Sequence, residues 1–193
     1  MKKNEGDLTD EDSSTGQVAT RRVYTGRVVS LDVDTVRFPN GVTGELEMIR
    51  HSGASAVVPL LEMPGEPEKV LLIRQYRYAA AGFLFEIPAG RLEDGETPEN
   101  CAHRELKEET GYTAGRMVAL TAIYTTPGFT DEIIHLFLAT DLSPGKSALE
   151  ADEILELKAV PMSEALEMIQ AGEIRDGKTI SALLFVAQFR RNQ

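Results

Sequence analysis

Residues 90–112 read GRLEDGETPENCAHRELKEETGY. Thr97 stands where a helix N-cap belongs, Pro98 follows at the first helical position, and Gly111 sits where a C′ glycine ends a helix. At about 100° per residue, Arg104, Glu105, Glu108 and Glu109 fall within one sector of about 140°. Glu105 and Glu109 are i and i+4, so their carboxylates rise from one face a turn apart. Ala102 and Leu106 leave only a thin apolar stripe beside them. Like charges this close repel unless something positive meets them. Two explanations compete: a water-facing surface with Arg104 and Glu108 paired, or a divalent-cation site whose waters a phosphate substrate shares. Spacing on one helix does not separate them.

The flanking residues do. From Gly90 the run is G-x5-E-x7-R-E-U-x-E-E-x-G-U, U being apolar, with Glu96, Arg104, Glu105, Glu108, Glu109 and Gly111 in place and Tyr112 last. At average residue usage, a chance match is expected about once in ten million starts or more rarely. On these residues the sequence resembles the Nudix hydrolase family over about residues 55–189. The resemblance implies a mixed-sheet α/β/α sandwich. It also implies that Glu105 and Glu109 are the main ligands of Mg²⁺, with Mn²⁺ a possible substitute. Glu108 is implied in or near the cluster, and the backbone carbonyl of Ala89 as a further ligand. Arg104 would orient the glutamates through hydrogen bonds, and Glu96 would be mainly structural. Gly90 is expected to permit a tight turn.

Three further stretches look like ADP-ribose pyrophosphatases within that family: Arg74-Gln75-Tyr76-Arg77-Tyr78, Glu86-Ile87-Pro88-Ala89-Gly90 and residues 124–132, YTTPGFTDE. The likeness implies hydrolysis of ADP-ribose to AMP and ribose 5-phosphate. Glu132, on a loop able to swing toward the cluster, is implied as the base for the attacking water. Arg77 and Arg50 would meet phosphate or the terminal ribose, and Tyr24 or Phe38 would stack on adenine. The N-terminal sheet is often exchanged between protomers in this subfamily, so a homodimer is expected. Plain readings stay open beside these: a hairpin turn at Pro127-Gly128, a strand-end surface charge at Arg77, ordinary core or interface at Tyr24 and Phe38. Another nucleotide sugar such as GDP-mannose, or a non-catalytic nucleotide-sugar sensor on the same fold, are the alternative functions. The intact glutamate set argues against the sensor.

Working outward, the 193 residues are enough for one domain with a small appendage. Residues 1–20 are polar and are expected to form a disordered arm. Residues 21–52 hold strand-like runs at 23–31, 33–38 and 45–50, with a turn at Pro39-Asn40-Gly41, and suggest a small antiparallel sheet. Residues 53–193 form the main domain. Strands are expected at 55–61, 70–76, 83–87, 117–124, 133–140 and 154–160. Ser163 is expected to cap one late helix, and a second to run over 179–191 after Asp176. The order is an α/β (α+β) one rather than a regular βαβ array.

Charge and composition exclude several classes. Of the net −11, −3 lies in the first twenty residues, leaving −8 for the body. That balance repels bare phosphate backbones, so no nucleic-acid partner is expected and an RNA-end hydrolase is disfavoured. An anionic substrate needs bridging cations. No apolar run approaches the ~18 residues of a membrane span, and no apolar segment follows the first lysines, so neither membrane nor secretion is expected. The single cysteine, Cys101, admits no internal disulfide, and a cytoplasmic location is expected by default. Gly172–Thr179 matches G-x4-G-K-T, but a helix rather than a strand precedes it, so a phosphate-binding loop is not expected. His51, His103 and His135 are scattered without ligand spacing.

Overall fold

The structure, a computed structural model, describes residues 15–146 and 155–190. It divides into two compact units. One comprises the residues up to His51 with Thr126–Asp131. The other comprises Ser52–Thr125 and the residues from Glu132 on.

The smaller unit is an antiparallel sheet of β1 (Gly16–Thr25), β2 (Ser30–Arg37) and β3 (Thr43–Arg50), in that order. Asp32 and Asp34, two apart on central β2, share one face and are buried. Gln17 and Thr20 on β1 donate to Asp34, and Arg22 pairs with Asp32. The sheet is thus joined partly by charge, which keeps its strands polar in sequence. This corrects the N-terminal reading. Residues 16–20 are paired strand rather than arm, because β2 supplies partners from Gly16 onward, while residues 1–14 lie outside the described residues. The expected strand at 23–31 is broken by a turn in which the Gly26 N–H donates to the Val29 carbonyl at 2.9 Å. A Cβ at Gly26 would come within 2.8 Å of the Tyr24 ring, so glycine is required there. The turn at Pro39-Asn40-Gly41 forms as expected, with Gly41 at φ 80°.

The larger unit carries β4 (Ala54–Leu61), β5 (Lys69–Arg77), β6 (Gly82–Glu86), β7 (Ala89–Arg91), α1 (Pro98–Thr110), β8 (Tyr112–Tyr124), β9 (Ile133–Pro144), β10 (Leu155–Pro161), α2 (Met162–Gln170) and α3 (Gly177–Phe189). The main sheet runs β10-β5-β4-β9-β8 and is mixed, β4 and β9 being its parallel pair. Alternation on β4 builds two layers. Ala54, Ala56, Val58 and Leu60 join Ala165, Met168, Ala182 and Leu183 of α2 and α3, while Val57 joins Ala102 and Leu106 of α1. A strand buried on both faces reads as a nearly continuous apolar run, and residues 54–61 do, with Ser55 the one polar residue. The α/β/α sandwich is therefore as expected.

Two details position the site. β4 and β5 pair directly only at Leu60–Val70 and Leu61–Lys69, then part. Into the fork go β6, paired with β5, and β7, paired with the start of β4. Strand β7, too short to announce itself in sequence, brings residues 89–91 against α1. The helix ends follow the expected chemistry: Thr97 Oγ1 accepts from the Asn100 N–H, and Gly111 takes φ 77°. By contrast, α2 starts a residue before Ser163, with Pro161 at its N-cap and no side-chain cap. Gly172, at φ 74°, follows the end of α2 as its C′ residue, which disposes of the phosphate-loop match.

Candidate active site

Glu105 and Glu109 are 8% and 5% exposed, so the acidic face of α1 is no water-facing surface. Burying two carboxylates is costly unless polar partners receive them. Arg104 is one such partner. Its Nε and Nη2 grip Glu96 at 2.9 Å each, its Nη1 donates to Glu105 at 2.5 Å and to Glu108 at 3.1 Å, and Nη2 also reaches the Arg91 carbonyl at 3.0 Å. The bidentate bond from Arg104, with burial opposing it, holds the Glu96 carboxyl down at about 2. The guanidinium is pushed up in turn. This network orients three carboxylates with one cation.

Glu109 accepts from the Ala89 N–H at 2.9 Å, tying the far end of the helix to β7. Gly90 proves necessary for a reason other than a turn. It lies within β7 opposite Ser55, and a Cβ there would fall 1.7 Å from Oε1 of Glu105. The carboxylate occupies the space that any side chain at residue 90 would need. Cys101 is fully buried, its thiol against the Gly90 carbonyl and pushed up to about 11 by burial.

These groups line one polar cavity of about 250 Å³, walled by Glu93, Glu105, Glu108 and Glu109 together with Gln75, Arg77, Ala89, Gly90, Arg91 and Arg104. Carboxylate oxygens are donors of the kind hard divalent cations take. No group of three or more potential ligands is gathered around one point among the described residues, because Glu105 leans on Arg104 and Glu109 on Ala89. The set fits such an ion in donor type and in burial.

Arg77 enters the cavity from β5. It forms a two-pronged pair with Glu86, 2.8 Å on each prong, and Glu86 also receives Lys178 Nζ at 2.5 Å. Glu86 is 1% exposed. Burial alone would raise its carboxyl, but Arg77 and Lys178 outweigh that and lower it. Lys178 and Thr179 thereby gain a role the sequence did not suggest. The Ile87 N–H donates to Thr179 Oγ1 at 2.9 Å, so the start of α3 anchors the β6–β7 strap. Removing one partner of a buried pair costs roughly 3 kcal/mol. Lys178→Met is expected to lower Tm by roughly 6–12 °C for a domain of this size, which a thermal melt at neutral pH reads.

The remaining sequence candidates are placed elsewhere. Glu132 accepts from Thr125 Oγ1 at 2.9 Å and lines a second cavity, of about 400 Å³, with Tyr124, Asp176 and Lys178 rather than with the α1 glutamates. Arg50 is in the smaller unit, bound by Asp32, Asp34 and Asp131. Burial acts to lower its guanidinium, and the three carboxylates reverse that and raise it. Tyr24 is 59% exposed, and Phe38 packs its ring on Gly44. Sequence reading missed Gln75, Glu86, Glu93 and Lys178. For Glu86, the signal was a lone acid in the apolar run Phe83-Leu84-Phe85-Glu86-Ile87; for Gln75, it was its place two residues before Arg77 on one strand face.

Comparison with known proteins agrees with this architecture. The NUDIX domain model matches residues 51–183. The chain is 40% identical over 171 residues to an ADP-ribose pyrophosphatase of Bacillus subtilis (strain 168), covering 88% of this chain and 90% of that one. With the same coverage it is 42% identical to a methanol dehydrogenase activator of Bacillus methanolicus. It is 39% identical over 156 residues to a GDP-mannose pyrophosphatase of Shigella flexneri serotype 5b (strain 8401), covering 72% of this chain and 80% of the relative. A crystal structure of an ADP compounds hydrolase superposes with a TM-score of 0.78 at 22% identity, over 93% of this chain and 96% of that one, and shares the fold. From the match across most of its length, this chain belongs to the NUDIX domain family.

Proposed function

We propose that the protein hydrolyses the diphosphate of ADP-ribose with Mg²⁺ bound, releasing AMP and ribose 5-phosphate. It is a Nudix pyrophosphohydrolase, and cleavage of nucleotide-sugar diphosphates is the activity that relatives at 40% and 39% identity carry in their names. The observation that carries the reading is the cavity lined by four glutamates together with Arg77 and Arg104. A divalent ion held there would neutralise the acids, take diphosphate oxygens and make phosphorus more open to attack.

The chain's own residues supply the remaining tasks. Glu105 and Glu109 would hold the ion, with Glu108 and the Ala89 carbonyl beside them. Arg104 keeps Glu105 and Glu108 aligned, so little reorganisation is left for the reaction itself. Arg77, its fork braced by Glu86, directs its other N–H groups to phosphate oxygens. Glu132 takes the proton of the attacking water once it leaves Thr125. Arg50, Tyr24 and Phe38 are the proposed substrate contacts of the smaller unit, and the working form is a cytoplasmic homodimer. Among the described residues no helix is long and apolar enough to cross a membrane.

Wild-type protein should release AMP from ADP-ribose with Mg²⁺ or Mn²⁺ and stop on addition of EDTA. The resemblance to GDP-mannose pyrophosphatase supports a second reading, so a panel that includes GDP-mannose is compared by kcat/KM. Binding without turnover across the panel would leave the sensor. For Glu132→Gln, kcat should fall roughly a hundredfold while Mn²⁺ affinity, read by electron paramagnetic resonance, is kept. An unchanged kcat assigns the base to another residue.

A further inference from the structure

Gln75 is 9% exposed and lines the glutamate cavity, yet its Oε1 is sealed from solvent with no hydrogen-bond partner. Buried polar atoms are nearly always paired, and an orphaned one weakens the fold that contains it. No donor lining the cavity bonds to Gln75 Oε1. Arg77 Nε and Nη2 serve Glu86, and all three Arg104 nitrogens serve carboxylates, with Nη2 also on the Arg91 carbonyl. The glutamates of the cavity are acceptors when ionised and give Oε1 nothing.

We infer that Gln75 is a substrate-positioning residue whose Oε1 accepts a hydrogen bond from an O–H donor arriving with the substrate. Ionised diphosphate oxygens carry no proton. The donor is therefore a hydroxyl of the sugar next to the diphosphate or a water carried on the cation. The inference rests on the nucleotide-sugar reading above and adds a residue to it. Register makes the placement fitting. Gln75 and Arg77 point to one face of β5, so the strand presents a neutral acceptor and a cationic donor side by side. Such a pair suits a ligand in which a hydroxyl adjoins a phosphate. An unpaired acceptor kept at a cost to stability is what a binding site retains and a structural position loses.

Gln75→Met keeps the shape of the side chain and removes both polar ends. Three quantities are compared with wild type: Tm without ligand, the rise in Tm with Mg²⁺ alone and with Mg²⁺ plus an ADP-ribose analogue carrying a methylene in place of the bridging diphosphate oxygen, and KM and kcat for the nucleotide sugar that wild type cleaves fastest. The expected result is an unliganded Tm equal to or above wild type, KM raised about tenfold and kcat within about threefold. A smaller Tm rise with Mg²⁺ alone assigns the donor to a cation-held water; a smaller rise only with the analogue assigns it to the sugar. A lower unliganded Tm with KM unchanged would overturn the inference and make Gln75 structural, as would a variant indistinguishable from wild type throughout. Absence of turnover by wild type across the whole panel is a separate result: it defeats the enzymatic reading itself, and the positioning role with it.

Discussion

Glu109→Gln is expected to lower kcat roughly a thousandfold with Mg²⁺ at saturation, the scale of losing a preorganised charged group from a site that excludes water. Stability should hardly move, with Tm within about 3 °C of wild type. The structural reason lies in the contact that Glu109 makes. It accepts the Ala89 N–H at 2.9 Å, and the glutamine Oε1 can accept the same bond. The β7 strap therefore stays on α1 while the negative charge is lost. Steady-state release of AMP and a thermal melt check the two halves. Near-normal turnover of a well-folded variant would remove Glu109 from the cluster.

Gly90→Ala should be nearly as damaging, through steric means. The new methyl would stand 1.7 Å from Oε1 of Glu105 and 2.0 Å from its Cδ. Backbone is not what it strikes first; the obstacle is the end of a flexible side chain, which swings away at small cost. The variant should fold, but with the Glu105 carboxylate displaced by more than an ångström, and a shift of that size costs roughly a hundredfold in kcat/KM. A double variant with Glu105→Ala restores the space and not the ligand. It should regain any stability lost by Gly90→Ala and none of the activity. Full activity in Gly90→Ala would mean that Glu105 works from another position.

The helix was the most legible part of the molecule. Thr97, Pro98 and Gly111 are local signals, each acting within a turn of its own position, and α1 begins and ends where they place it. The long apolar run of β4 was legible for a similar reason: burial on both faces removes the need for alternation. The smaller sheet was read less well. Its central strand buries Asp32 and Asp34 among arginine, threonine and glutamine from β1 and β3, so polarity concealed a strand at residues 16–20. Strand β7, from Ala89 to Arg91, was invisible because a short strand needs partners rather than propensity.

Within the site the same division holds. Glu105, Glu108, Glu109 and Arg104 stood out because one helix sets their spacing, and i, i+4 geometry does not depend on what surrounds it. Glu86 and Lys178 are 92 residues apart and meet only through the fork between β4 and β5 and the start of α3. Neither residue type is unusual where it stands.

The amino-acid order by itself determined the acid-bearing helix, its ends and the family, since each rests on interactions between residues near one another in the chain. Only the tertiary structure decided that two of those acids are buried, that glycine at residue 90 yields its missing side-chain volume to Glu105, and that Glu86 braces Arg77 with help from α3. Those outcomes come from segments far apart in the chain meeting at one place, where exclusion of water sets the cost of every unpaired charge.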